Sequence, residues 1–196
     1  MRKTLIKFLS RNDVKKALYL NDLKYCYDLL EKFVDLNKLT SNAMAEFTKL
    51  LLDINVDPLQ YLDKIYTFQF IQLPITDINI PTKIKSIGNR SFSGCKKIKS
   101  VTIPDSVVKI DDGAFQNCYS LENIIIPDSV TEIGWGAFLY CTSLKSITIP
   151  DSVMSIGYRA FAGCTNLAFV SIPKRFKNEL ELSFEDQVDK INFTFR

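Results

Sequence analysis

The chain has 196 residues, 46% of them apolar, a formal net charge of +3 and no histidine. That apolar share supports a buried core and excludes a wholly disordered chain. The lack of histidine removes Ser-His and Cys-His nucleophile activation, imidazole proton shuttling and every histidine-containing zinc site. Charge is evenly divided: residues 1–70 hold eleven Lys/Arg against nine Asp/Glu, and residues 71–196 hold fourteen against thirteen. Neither half has the basic excess of a general nucleic-acid binder. Five cysteines, an odd number, fit a reducing compartment better than a disulfide framework. Lys7 and Arg11 interrupt the first apolar run, which leaves no signal-peptide core, and no stretch has the length of a membrane span. The expectation is a soluble, cytoplasmic protein.

The first part of the chain has helical spacing. Leu5, Phe8 and Leu9 start one stripe, and Val14, Ala17 and Leu18 continue after a cap at Asn12 or Asp13. The clearest helix covers roughly 22–36, where Leu23, Cys26, Tyr27, Leu30, Phe33 and Val34 share one face. Thr40 or Ser41 caps the next, with Met44, Phe47, Leu50, Leu51 and Ile54 along it. Asp57-Pro58 pairs an N-cap acceptor with proline at the first helical position, ahead of Leu59, Leu62 and Ile65. Residues 1–66 are therefore expected to form an α-helical N-terminal domain. Two roles stay open for it: covering the exposed end of the C-terminal region, or binding and oligomerisation in its own right.

From Ile80 onward the chain repeats itself every 23 residues. Three copies are nearly complete: IPDSVVKIDDGAFQNCYSLENII from Ile103, IPDSVTEIGWGAFLYCTSLKSIT from Ile126 and IPDSVMSIGYRAFAGCTNLAFVS from Ile149. A looser copy, IPTKIKSIGNRSFSGCKKIKSVT, begins at Ile80. Such a period specifies a solenoid, in which each coil hides its apolar face only by stacking on its neighbours. In L-x-x-I-x-I-P, alternation reads as a strand that proline ends, because proline has no N–H to donate. Val130 and Ile133 mark a second extended tract, Gly134 is read as a tight bend, and GAF as a short helical turn. Asp111 replaces that glycine one coil earlier and is read as left-handed in the same way.

Phenylalanine recurs at Phe92, Phe115, Phe138 and Phe161, preceded by Ser91, Ala114, Ala137 and Ala160. Each buried side chain of that size contributes about 1.5–3 kcal/mol. ITDINIP at 75–81 places a strand before the first coil, and the period carried past Val170 and Ile172 lands on Phe193 and Phe195. FKNELELSFEDQ has lost the motif and is read as a C-terminal cap. The fold class is α+β: a helical domain over 1–66, then a solenoid over 67–196 with a parallel concave sheet of about six strands.

The pattern I-P-D-S-V-x-x-I-G-x-x-A-F-x-x-C-x-x-L-x-x-I resembles the BspA-like class of leucine-rich repeats over roughly 75–172. The segment TSNAMAEFTKLLLDINVDPLQYL, joined directly to repeats, resembles phage or mobile-element members of that class. The resemblance implies a parallel concave sheet and macromolecular binding without catalysis or a cofactor. The partner expected is another protein or a nucleoprotein complex. The alternative is a phage or mobile-element inhibitor of a host defence enzyme or nucleoprotein such as a CRISPR effector. Direct nucleic-acid binding and a surface adhesin role stand behind both.

Candidate contact residues follow from the strand alternation. One outward column holds Asp77, Ser100, Asn123, Ser146, Phe169 and Asn192; the other holds Asn79, Thr102, Ile125, Thr148, Ser171 and Thr194. Ile125 and Phe169 are apolar where water is expected, which marks contact anchors. Trp135 and Tyr158 share a column after the bend and either anchor a partner or pack between coils. Lys83, Lys85, Arg90, Lys96, Lys97 and Lys99 lie in a stretch without acids, either a phosphate-facing patch or a solvated rim. Cys95, Cys118, Cys141 and Cys164 form one parallel column, which suits a small buried hydrophobe better than a convergent metal site. No metal or cofactor is expected.

Overall fold

The computed structural model describes residues 76–196. The helices expected within 1–66, including the one over 22–36, lie outside the described residues. The described region is a stack of 23-residue coils: coil 1 at 80–102, coil 2 at 103–125, coil 3 at 126–148, coil 4 at 149–171 and coil 5 at 172–194.

Alternation of aliphatic with small polar residues dictates the first side of each coil. It carries β1 (Asp77–Asn79), β3 (Ser100–Thr102), β5 (Asn123–Ile125), β7 (Ser146–Thr148), β9 (Phe169–Ile172) and β10 (Asn192–Phe195). Between them, on a second side, run the two-residue strands β2 (Ser86–Ile87), β4 (Lys109–Ile110), β6 (Glu132–Ile133) and β8 (Ser155–Ile156). All pairing is parallel and in the register of the repeat: Ser100 lies opposite Asn123, Phe169 opposite Ser146 and Asn192, and Ile133 opposite Ile156. The inward residue of the first five front strands, from Ile78 through Val101, Ile124 and Ile147 to Val170, is buried, and Phe193 of β10 is half-buried.

The front sheet departs from the expected continuous ladder. It is two three-stranded ladders, β1-β3-β5 and β7-β9-β10, whereas the back strands form one sheet, β2-β4-β6-β8. At the junction the Lys145 N–H to Glu122 carbonyl distance is 3.5 Å, against 3.1 Å for Glu122 to Lys99 and 2.9 Å for Ala168 to Lys145. Strands of three residues make so few bonds that a few tenths of an ångström at one junction interrupt the ladder. The back sheet runs through the same junction unbroken, so the coils stay stacked.

The third side is where GAF was expected to form a helical turn, and in coils 1–4 no helix forms there. Alternate amides have different destinations. Phe115 donates to the Ala137 carbonyl of the next coil at 2.8 Å and Asn117 to Leu139 at 2.8 Å. Ala114, Gln116 and Cys118 instead close turns onto Asp111, Gly113 and Phe115 in their own coil. A helix would direct every amide back along its own coil; stacking directs half of them across to the neighbour.

This alternation needs left-handed residues twice per coil. They fall at Arg90, Gly113, Gly136 and Arg159, and again at Gly94, Asn117, Tyr140 and Gly163, all between φ +49° and +72°. The bend column of Gly134 and Asp111, read as left-handed from sequence, is not. At its glycines the neighbouring coil comes close: a Cβ on Gly134 would lie 2.6 Å from the Asp112 amide nitrogen, and one on Gly157 2.4 Å from that of Trp135.

The core is a set of columns. Phe92, Phe115, Phe138 and Phe161 are fully buried and stacked at 5.3, 5.5 and 5.3 Å, with ring planes within 7°. The stack continues to Phe184, 5.0 Å beyond Phe161. Ser183-Phe184 therefore repeats Ser91-Phe92, and the segment read as having lost the motif keeps its central pair. What coil 5 lacks is the back strand. It forms a 3-10 turn at Lys174–Phe176, the short helix α1 (Leu180–Phe184) and another 3-10 stretch, Glu185–Lys190. Phe193 then closes edge-on against Phe184 at 5.3 Å.

Candidate binding surface

The front strands β1, β3, β5, β7 and β9 each end at a buried isoleucine followed by a proline, so their outward residues are held by a short, hydrogen-bonded segment and a packed core. Ser100, Thr102, Asn123, Ser146 and Thr148 all face solvent, and Ser171 is half-buried. Ser100 donates to the Asp77 carboxylate at 2.9 Å, and across the interrupted junction Lys145 pairs with Glu122 at 3.0 Å. The face is small and polar with two exceptions. Ile125 is 80% exposed and Phe169 61% exposed.

Ile125 stands on β5 and Phe169 on β9, with Ser146 and Thr148 of β7 between them. The anchors lie in different rows, so two strand spacings across and two residues along the strand put them about 12 Å apart. The small residues of β7 leave a shallow floor between them, and the junction where the ladder is interrupted runs alongside Ile125. An isoleucine and a phenylalanine in water on a stiff sheet lose little conformational freedom when covered, which favours contact there.

The rim pair is unequal. Tyr158 is 52% exposed, whereas Trp135 is half-buried, with its backbone N–H held by the Asp112 carboxylate at 2.8 Å. Trp135 thus belongs partly to the wall, and Tyr158 is the presented ring.

The six basic residues of coil 1 are all exposed, but they occupy three stations around it. Lys83 and Lys85 precede β2, and Arg90 lies on the third side with its side chain over Gly113. Lys96, Lys97 and Lys99 lead into β3, Lys96 above the Tyr119 ring at 5.8 Å.

The cysteine column is built into the wall. Cys118, Cys141 and Cys164 each donate to the carbonyl of Phe92, Phe115 and Phe138 respectively, at 3.2 Å. All four described thiols are buried and unbridged. Burial away from water pushes the thiols of Cys118 and Cys141 well above their usual range and that of Cys164 to about 12. Such thiols are poor nucleophiles and poor metal ligands. Among the described residues no group of three or more His, Cys, Asp or Glu is placed to hold a metal ion, and no helix is long and apolar enough to cross a membrane.

Several exposed apolar residues were not singled out by alternation: Met154 at 72%, Leu182 at 54%, Val108 at 45% and Tyr140 at 43%. Val108 and Met154 share one column with Lys85 and Thr131, so the repeat register contained that signal. Tyr140 is explained by the third side, where its ring lies directly over Gly163.

Comparison with known proteins agrees with this architecture. The BspA type leucine rich repeat region matches residues 63–189 in six copies. Among solved structures, a leucine-rich-repeat protein of T. pallidum is 34% identical, covering 56% of this chain and 51% of its own, with a TM-score of 0.55. A leucine rich cell surface protein of Faecalibacterium prausnitzii is 33% identical, covering 62% of this chain and 32% of its own, with a TM-score of 0.53. The chain thus spans about half the length of the first and about a third of the second. No curated protein matches. With six repeats over well over half of its length and the stacked columns those repeats require, the chain belongs to the BspA-type leucine-rich-repeat family.

Proposed function

We propose that this chain is a non-enzymatic binding module that docks another protein on its front sheet, with Ile125 and Phe169 as anchors. Leucine-rich repeats typically serve as protein-interaction scaffolds, and the reading here rests on one observation. Two large apolar side chains are 80% and 61% exposed on a sheet whose other outward residues are small and polar. Exposed apolar groups of that size on a rigid wall are the usual centre of a contact. Ser146 and Thr148 between them admit a partner side chain without collision. An inhibitor of a host defence enzyme or nucleoprotein would use the same face, with the target as its partner.

The test is capture of a partner by the full chain and by a variant carrying Ile125→Ser and Phe169→Ala. Both positions are exposed, so the melting temperature is expected to stay within a degree or two. Affinity is expected to fall at least tenfold, as for loss of a contact centre. Unchanged affinity would move the site away from the front sheet.

A further inference from the structure

The back sheet has an unfilled edge. On β2, β4 and β6 the following coil seats a strand in parallel. Val108 donates to the Lys85 carbonyl and Asp111 to Ile87; Thr131 donates to Val108 and Gly134 to Ile110; Met154 donates to Thr131 and Gly157 to Ile133, all at 2.7–2.9 Å. The same edge of β8 would take its donors from coil 5. Coil 5 turns away: the Lys177 N–H goes to the Lys174 carbonyl at 3.1 Å and that of Glu179 to Phe176 at 3.0 Å. Arg175 of coil 5 donates to the carbonyls of Asp151 and Val153 just before β8, but among the described residues no hydrogen bond reaches the carbonyl of Met154 or of Ile156.

Burial changes at the same place. Ile87, Ile110 and Ile133 are sealed, while Ile156 in their column is half-buried. Gly88 and Gly134 are buried, and Gly157 is half-buried. Met154 is 72% exposed at one end of the edge and Tyr158 52% exposed at the other.

We propose that the outer edge of β8 is a strand-addition site that takes an extended segment of a partner protein, in parallel register, containing an x-Ile-Gly or x-Ile-Asp tract. The molecule itself defines the occupant, because the same edge is filled three times by its own chain: by VKID at 108–111, TEIG at 131–134 and MSIG at 154–157. Backbone groups of the edge supply the hydrogen bonds, and side-chain columns supply the selection. The isoleucine continues the Ile87–Ile156 column. The residue after it is glycine at 134 and 157, where a Cβ would lie 2.6 or 2.4 Å from backbone nitrogen of the preceding coil, and aspartate at 111. A hydrophobic or threonine residue two places before the isoleucine covers Met154. This surface lies on the opposite wall from Ile125 and Phe169, so it is independent of docking on the front sheet.

The probe is the eight-residue peptide SVTEIGWG, the chain's own residues 129–136, titrated into the full 15N-labelled protein. Saturable amide shifts are expected at 154–158 and at 177–179. A peptide with aspartate in place of its isoleucine should bind at least tenfold more weakly, as should the protein carrying Met154→Lys. Ile125→Ser with Phe169→Ala should bind the peptide normally. The proposal is overturned by absence of saturable shifts on β8 or by equal binding of the aspartate peptide, neither of which depends on a variant protein folding. It is equally overturned by a concentration-dependent dimer that Met154→Lys abolishes, since the edge would then belong to a second copy.

Discussion

Coils 3 and 5 have the same length and differ in almost everything except their central pair. Coil 3 has Ala137-Phe138, a front strand, a back strand and a cysteine; coil 5 has Ser183-Phe184, a front strand, no back strand and Gln187 where the cysteine would stand. Phe138 lies between two parallel rings at 5.5 and 5.3 Å. Phe184 has a parallel ring on one side at 5.0 Å and the edge of Phe193 on the other. The difference teaches that the Phe column and the front strand are enough to add a coil to the stack. The back strand is separable from both, and its loss produces the open edge beside Met154.

The largest test of that comparison is truncation of the ring column. Phe138→Ala should lower unfolding stability by about 3–5 kcal/mol, because coils on both sides restrain collapse into the cavity. Phe184→Ala should cost about 1–2 kcal/mol less, since coil 5 is free to relax over its helix and 3-10 segments. Urea titration of both variants checks this, and equal losses would make coil 5 as rigid as coil 3.

The next contrast sets close approach against backbone conformation. Gly157→Ala puts a Cβ against backbone of coil 3 and should cost about 1–3 kcal/mol, as overpacking does. At Gly136 a Cβ meets only the flexible Leu139 side chain, at 3.4 Å, and the cost is the left-handed φ of +55°, about 1–2 kcal/mol. Thermal denaturation of the two alanine variants orders them. A larger loss at Gly136 would mean that backbone conformation, not stacking distance, limits the coils.

The smallest effect comes from the thiols that coil 5 lacks. Their ionisation is held above the ordinary value of 9.0 by burial, to about 12 at Cys164. The unfolded chain therefore loses thiol protons first as pH rises past about 9, and the folded state loses stability until its own thiols ionise. Each such thiol should remove about 1.4 kcal/mol between pH 8 and pH 10. Cys164→Ala should flatten the stability–pH curve by that amount, read from urea midpoints across the range. No flattening would mean that water reaches the column.

The period made the strands, their parallel register and the Phe and Cys columns legible in the residues alone. In a solenoid each residue's neighbours are the residues one period away, so contact follows from counting. Ile125 and Phe169 were legible for the same reason, as breaks in two polar columns. Other features were not. Ser183-Phe184 kept the count but was hidden by the changed residues around it. The third side looked helical because GAF is short and local propensity carries no information about a neighbouring coil's carbonyls. The position of left-handed backbone was misread at Gly134 because glycine serves both positive φ and close approach, and composition does not separate the two.

Sequence alone settled that the coils stack, how long they are and which side chains line their interior, since burial in a repeat is enforced by periodicity. Folding in three dimensions decided where backbone hydrogen bonds go: across to the next coil on the third side, apart at the junction of β5 and β7, and unfilled at β8. Those choices depend on the distance between two coils, which is a property of the pair and is written in neither coil by itself.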